Sequence, residues 1–402
     1  MPVIIKKVRI IDPGASLDVV DDILISPECI EIAPRQVRNC LAIDGRKQLL
    51  VPGLIDLHVH FREPGSCYKE DILSGIKAAL AGGVTSALVM PNTNPAIDNY
   101  ARVYYQLMRA RNTGFDLLVA GAASCSLAGI EQTDINQLAQ AGVKAITDDG
   151  KPIIANIESV MRACRRNNLV CMQHAEDLRW PTEQARSEFE LVERDILLAE
   201  RIGARYHVLH LSARQSLKLV QQAKRRRAPI TCEVAPHHLL LCDRDVFDSN
   251  QKMNPPLRTR QDCEALIDGL ADGSIDAVAS DHAPHHIREK RRPFAQAPCG
   301  VVGVESSILV LLTLVARKEI SLPRAIALMS LGPARVLGEQ DRIGSLMGDR
   351  MLKNAVLLDP SYQFTLTQRD LHGRSKNSAF LGCELFGRVR ATFLNGSMVY
   401  RA

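Results

Sequence analysis

The sequence has no apolar run long enough to cross a bilayer, and its opening residues, MPVIIKKVRI, lack the long apolar core of a secretory signal. Both absences argue against a membrane-bound or exported protein. It also has no CxxC pair: eleven cysteines are scattered without regular spacing, which argues against a disulfide framework and for free thiols in a reducing cytoplasm. Aromatic residues are scarce at 4%, so the core has to be built from Val, Ile, Leu and Ala. No internal repeat or low-complexity tract is present. A strong charge of either sign is missing too, since the net charge is only +5. The densest basic cluster, Lys224-Arg225-Arg226-Arg227, follows an amphipathic run from Leu217 to Ala223 and reads as a solvated helix end, so no nucleic-acid partner is expected.

What the sequence does have is a long alternation of short β-rich runs with helical ones between about Val51 and Gly338. The β-runs are Leu49 to Val59, Thr85 to Met90, Leu117 to Ala122, Val143 to Thr147, Val170 to His174, Tyr206 to His210, Ile230 to Val234 and Ala277 to Ser280. Eight strands, each followed by a helix, predict an α/β fold of the (β/α)8 TIM-barrel type. The first fifty residues carry short strands with turns at Asp12-Pro13-Gly14 and Asp44-Gly45, and the last sixty return to that style at Ala355 to Leu358 and Val389 to Phe393. The expected organisation is a small β-sandwich domain made from both termini, residues 1–50 and 341–402, around a barrel at 51–340.

The chemistry centres on Asp56 to Gly65, DLHVHFREPG, where His58 and His60 close an apolar run. Residues two apart in a strand face the same side, so both imidazoles can address one point. Taking only the C-terminal ends of the predicted strands adds Asn92, Asp148, Asp149, His174, His210, Glu233 and Asp281. Each alone has a plain structural explanation: a core histidine, a turn at Asp148-Asp149-Gly150, a helix cap at Asp281. Together on one barrel rim they form a nitrogen and oxygen donor set that suits Zn²⁺ and exceeds what one tetrahedral ion can use. Two neighbouring ions need an anionic bridge, and the pattern therefore reads as a binuclear metal-dependent hydrolase.

The ordered series of motifs resembles the class I, bacterial-type dihydroorotases of the amidohydrolase superfamily. The matching pieces are Asp56 to Gly65, Met90 to Pro95 (MPNTNP), Thr147 to Gly150 (TDDG), His174 to Asp177 (HAED), His210-Leu211-Ser212, Cys232 to Leu240 (CEVAPHHLL), Met253 to Arg258 (MNPPLR), Asp281 to His285 (DHAPH), Ala297 to Glu305 (APCGVVGVE) and Ser375-Lys376-Asn377. The resemblance implies a zinc-dependent enzyme that reversibly closes N-carbamoyl-L-aspartate to (S)-dihydroorotate in pyrimidine (UMP) biosynthesis. It implies that His58 and His60 hold one zinc and His174 and His210 the other, with Asp149 bridging. Asp281 would touch the first metal and shuttle the proton. His60, Arg62, Asn92, Asn254, His285, Cys299 and Gly300 would meet the substrate. Of these, Arg62, Asn92 and His285 would grip its carboxylate, and Asn254 with the backbone around Cys299-Gly300 would meet the pyrimidine ring. A homodimer and association with aspartate carbamoyltransferase are further implications of the resemblance.

Two places depart from the family pattern. The stretch between His174 and His210 is short, lacking a Gly-rich loop before the helix around Glu188 to Glu200, so Asp177 to Arg186 must bridge the gap. Lys144 sits near where hydantoinases and another dihydroorotase type carry a carboxylated bridging lysine. As a strand-start residue it is expected to point to solvent, leaving the bridge to Asp149, with Asp148 facing the opposite way. Arg288, Lys290, Arg291 and Arg292 are read as solvated loop charges after the last strand. The competing functions are a hydantoinase or dihydropyrimidinase, against which Arg62, Asn92 and His285 argue, and a non-catalytic dihydroorotase-like subunit scaffolding aspartate carbamoyltransferase, against which the intact histidine set argues.

Overall fold

The computed structural model describes all residues except 1, 36–38, 155, 178, 181–183 and 349. Part of the bridging stretch from Asp177 to Arg186 therefore lies outside the described residues. Eight parallel strands follow one another in chain order around a barrel: Leu54–Val59, Val84–Val89, Asp116–Ala122, Ala145–Thr147, Val170–Gln173, Tyr206–Val208, Ile230–Val234 and Ala277–Val278. The ring closes between first and last strand through a parallel bridge from Val59 to His282. Asp56 reinforces the seam, its Oδ1 accepting from Ser280 N at 2.9 Å and His58 N at 3.2 Å. Burial pushes this carboxyl up to about 6, against the hydrogen bonds from Ser280 and His58 that pull it down.

The barrel interior is an apolar cluster that includes Ile55, Leu57, Leu88, Met90, Leu118, Ala120, Ala145, Val170, Met172 and Leu209. Residues of the helix Leu331–Leu337 join it through Ala334, Val336 and Leu337. This is a filled core with room for chemistry only at the rim. The inward positions continue with period two into Asn92, Asp149, His174 and Asp281, which places those side chains above the apolar layer.

The first strand breaks that rule. Asp56 pairs with Ala87 and Val59 with Val89, so three steps on one strand oppose two on its neighbour. Strict alternation from the inward Leu57 would turn His58 away from the interior; the extra residue of this bulge carries His58 and His60 inward instead. His210 departs similarly, with φ +32 after the strand Tyr206–Val208.

The expected strand Leu49 to Val59 is two strands. Leu49–Pro52 belongs to the other sheet, pairing antiparallel with Ala355–Leu358, and Leu54–Val59 belongs to the barrel. Gly53 makes the joint: its N–H donates to Asn354 O at 2.9 Å, and a Cβ there would lie 2.2 Å from Thr85 Oγ1. The second sheet is built from both ends of the chain. Its order runs Ser397–Arg401, Glu384–Leu394, Ala355–Thr365, Leu49–Pro52, Val3–Asp12, Leu17–Ile25, Ile30–Ile32, with Leu41–Asp44 also on Val3–Asp12. Among the described residues no helix is long and apolar enough to cross a membrane.

Candidate metal centre and substrate cleft

Two donor groups lie side by side at the rim. His58, His60 and Asp149 form one, and Asp149, His174 and His210 form the other, with the ligand atoms of each within 4.8 Å of one another. Asp149 is common to both. Its Oδ2 lies 3.2 Å from His58 Nε2 and 3.4 Å from His60 Nε2, while its Oδ1 lies 3.6 Å from His174 Nδ1 and 3.5 Å from His210 Nε2. Asp281 joins the first group through Oδ1, 3.3 Å from His60 Nε2 and 3.7 Å from His58 Nε2.

Asp149 Oδ1 and His58 Nε2 are buried and make no hydrogen bond, an arrangement that costs free energy unless a cation completes it. Imidazole nitrogen with carboxylate oxygen is a donor set for a divalent metal. The residues fit such an ion. Burial alone would lower His174, but its contacts with Asp149 and Glu176 push it up to about 9. Burial would likewise raise Asp149, yet the charge of His58 and the contacts with His174 and His210 hold it well below the usual carboxylate range.

Three of the four donor histidines are aimed by a partner behind the ring, whereas His210 Nδ1 is buried without one among the described residues. His58 Nδ1 meets Glu233 Oε1 at 2.9 Å, and Glu233 Oε2 meets His207 Nε2 at 3.2 Å. His60 Nδ1 meets Asn92 Oδ1 at 2.8 Å. His174 Nε2 meets Glu176 Oε2 at 3.1 Å, and Asn254 Nδ2 donates to the same oxygen at 3.0 Å. Glu233, one of the residues drawn from the strand ends, thus stands behind a ligand. His207 and Glu176 carry no mark in the sequence that would distinguish this use, although Glu176 lies in the HAED motif.

The remaining residues singled out in the sequence also converge. His60, Arg62, Asn92, Asp149, His174, His210, Asn254, Asp281, His285, Cys299 and Gly300 line one cavity of about 260 Å³. Arg62, at φ +59, donates through Nε to Pro284 O at 3.3 Å and lies 3.4 Å from His285 Nε2. His285 Nε2 meets Cys299 O at 2.8 Å and Nδ1 meets Lys69 Nζ at 3.2 Å, and burial beside Arg62 and Lys69 holds the ring neutral, down to about 3. Glu63 is buried next to Arg62 and anchored by Ile72 N, Tyr105 Oη and Arg109 Nε at 3.0, 2.7 and 2.7 Å. It fixes the turn from which Arg62 enters the cleft.

Three residues take structural places. Asp148 accepts from Ala123 N, Ser124 N and Ser124 Oγ, away from both donor groups. Lys144 does not line the cleft: its Nζ is paired with Glu339 Oε1 at 2.6 Å. Lys290 corrects the reading of its cluster, because it is only 4% exposed and donates to backbone carbonyls while Arg288, Arg291 and Arg292 remain exposed.

A parallel-barrel rim bearing two His/Asp groups that share one carboxylate suits metal-assisted hydrolysis, and comparison with known proteins agrees. The sequence profile of the amidohydrolase family matches residues 49–396, and the chain belongs to that family. Within it, the chain sits among the dihydroorotases. It is 37% identical to a dihydroorotase of Trichlorobacter lovleyi, with 100% of this chain and 99% of the relative covered, and 38% identical to one of Syntrophobacter fumaroxidans, with 98% and 96% covered. The first alignment spans 426 positions against 402 residues here, so that relative carries segments this chain lacks. Similar solved structures are a dihydropyrimidinase from Brevibacillus agri, TM-score 0.88 at 21% identity, covering 100% of this chain and 95% of that one, and an L-hydantoinase from Arthrobacter aurescens, TM-score 0.87 at 22% identity, covering 99% and 96%. These last two share the fold.

Proposed function

We infer that the protein is a dihydroorotase that interconverts N-carbamoyl-L-aspartate and (S)-dihydroorotate in the cytoplasm, with two zinc ions held by His58, His60, Asp149, His174 and His210 and touched by Asp281. The observation that carries this reading is that one cavity of about 260 Å³ combines the shared-carboxylate donor set with Arg62, Asn92 and His285. A cyclic amide bearing a carboxylate needs both halves, whereas a hydantoin or dihydrouracil ring needs only the first.

When bound, the metal supplies Lewis acidity, making hydroxide available near neutral pH and polarising the ring carbonyl. The chain does the rest. The Arg62 guanidinium and Asn92 amide receive the substrate carboxylate and fix the ring's orientation. Asn254 and the backbone of Cys299-Gly300, which also line the cleft, meet the ring amide. Asp281, held below the usual carboxylate range despite its burial by His60 and His58, starts as a base. It takes the proton of the attacking water at a carboxylate oxygen and returns it to the ring nitrogen as the C–N bond breaks. In the biosynthetic direction the same proton path runs backward. Self-association and binding to aspartate carbamoyltransferase belong to the same reading and are checked by sedimentation of the chain alone and mixed with that transferase.

The test is a comparison of dihydroorotate with hydantoin and dihydrouracil. Turnover of dihydroorotate alone, with its KM raised at least tenfold by Arg62→Met, is the expected result. Preferential turnover of hydantoin would contradict the reading.

A further inference from the structure

We propose that Lys290 is a positioning residue for substrate binding, its buried side chain tying together the two segments that face the ring. The inference rests on the dihydroorotase reading above. Lys290 ends a short helix, Ile287–Lys290, in the connection after the last barrel strand, and its side chain turns inward where Arg288, Arg291 and Arg292 turn out. Among the described residues it has no carboxylate partner. Its Nζ instead donates to Gly300 O at 2.9 Å, Pro298 O at 3.1 Å and Lys252 O at 3.4 Å. An ammonium has three N–H donors, and here each has one backbone acceptor. Burying a charge without a counter-ion is costly, so a lysine that only covered surface would place its head in water.

What the three carbonyls have in common is location. Pro298 and Gly300 flank Cys299, and Lys252 lies two residues before Asn254; Cys299, Gly300 and Asn254 all line the cleft. The two segments are joined directly by Gly300 N donating to Lys252 O at 2.9 Å. The Gly300 carbonyl also accepts from Asn377 Nδ2 at 3.1 Å. Its φ of +120 and the 2.8 Å from a built Cβ to Ala283 Cβ leave it little other room. Ser249 Oγ donates to the carbonyl of Lys290 itself, fixing the helix end to the segment that carries Asn254. A ring amide that pairs with backbone needs that backbone at a set distance, and Lys290, together with the direct Gly300 to Lys252 bond, holds the spacing of these two strips of chain.

The test uses the metal-loaded enzyme and dihydroorotate. In Lys290→Met, KM is expected to rise about tenfold while kcat stays within about twofold and metal content is unchanged, the pattern of lost uniform binding. In Lys290→Ala, added propylammonium is expected to bring KM back toward the wild-type value, which a general loss of stability would not allow. Should neither variant fold, Ser249→Ala decides, a raised KM with kcat kept supporting the proposal. An unchanged KM in the folded variant, or KM, kcat and metal content failing together, overturns it. Wild-type enzyme in the same assay separates the two claims, since absent wild-type turnover would sink the functional reading and leave Lys290 out of account.

Discussion

The side chains behind the candidate donor histidines, which fix their rings, are where single substitutions report most sharply. Glu233→Gln keeps the shape but removes the charge that faces His58 and His207, so metal affinity is expected to fall by roughly 10–100-fold, measured by competition with a chromogenic chelator. Asp281→Asn is expected to abolish turnover while leaving the metal largely bound; substantial activity in that variant would remove the proton-shuttle role. Lys290 carries a pH signature. Burial pushes it down to about 8 from 10.5, with Cys299, Asp248 and Lys252 the ionisable groups around it. Since the folded value lies below the unfolded one, the cost of the buried charge is fully present below about 8 and fades as pH climbs toward 10.5. Wild type should gain stability relative to Lys290→Met over that window, followed by denaturant titration at each pH. At this scale the sequence brings out the candidate donors that the structure groups together, because HxH, TDDG and the strand-end histidines are local patterns. It does not reveal that Glu233 stands behind His58, nor that Lys290 alone of its basic cluster is buried, because both depend on contacts between distant segments.

Secondary-structure elements decide which of those side chains reach the rim. The eight β-runs are legible from apolar runs bounded by turns, yet periodicity cannot show the bulge between Asp56 and Val59 that aims His58 inward, since an inserted residue leaves composition untouched. Nor does an unbroken apolar stretch disclose that Leu49–Pro52 and Leu54–Val59 serve different sheets. Pro52-Gly53 at the joint is the clue. Gly53→Val should test that joint: with Thr85 Oγ1 2.2 Å and Asn354 Cβ 2.7 Å from a Cβ, the neighbours must move. The expected loss is about 1–3 kcal/mol in urea unfolding, without change in the metal content of the folded fraction.

Over the whole molecule, the barrel supplies a rigid rim and the sheet from both chain ends ties the first strand's approach to the last third of the sequence. Closure through Val59, His282 and Asp56 brings Asp281 to the first histidine pair across more than two hundred residues. That long-range seam is invisible in any local window and is implied only by the count of eight strands. It also ties the candidate metal site to the architecture, because Asp149 is shared by donors from the first, fifth and sixth strands. Stripping the metal with a chelator is expected to lower the unfolding temperature in calorimetry, and adding Zn²⁺ back to restore it. The most direct test of the account is metal content and dihydroorotate ring opening measured on one purified sample. The account predicts about two zinc ions per chain and turnover that is lost on chelation and regained with Zn²⁺. A folded, metal-loaded protein that leaves dihydroorotate intact, or turnover that survives complete metal removal, would contradict it.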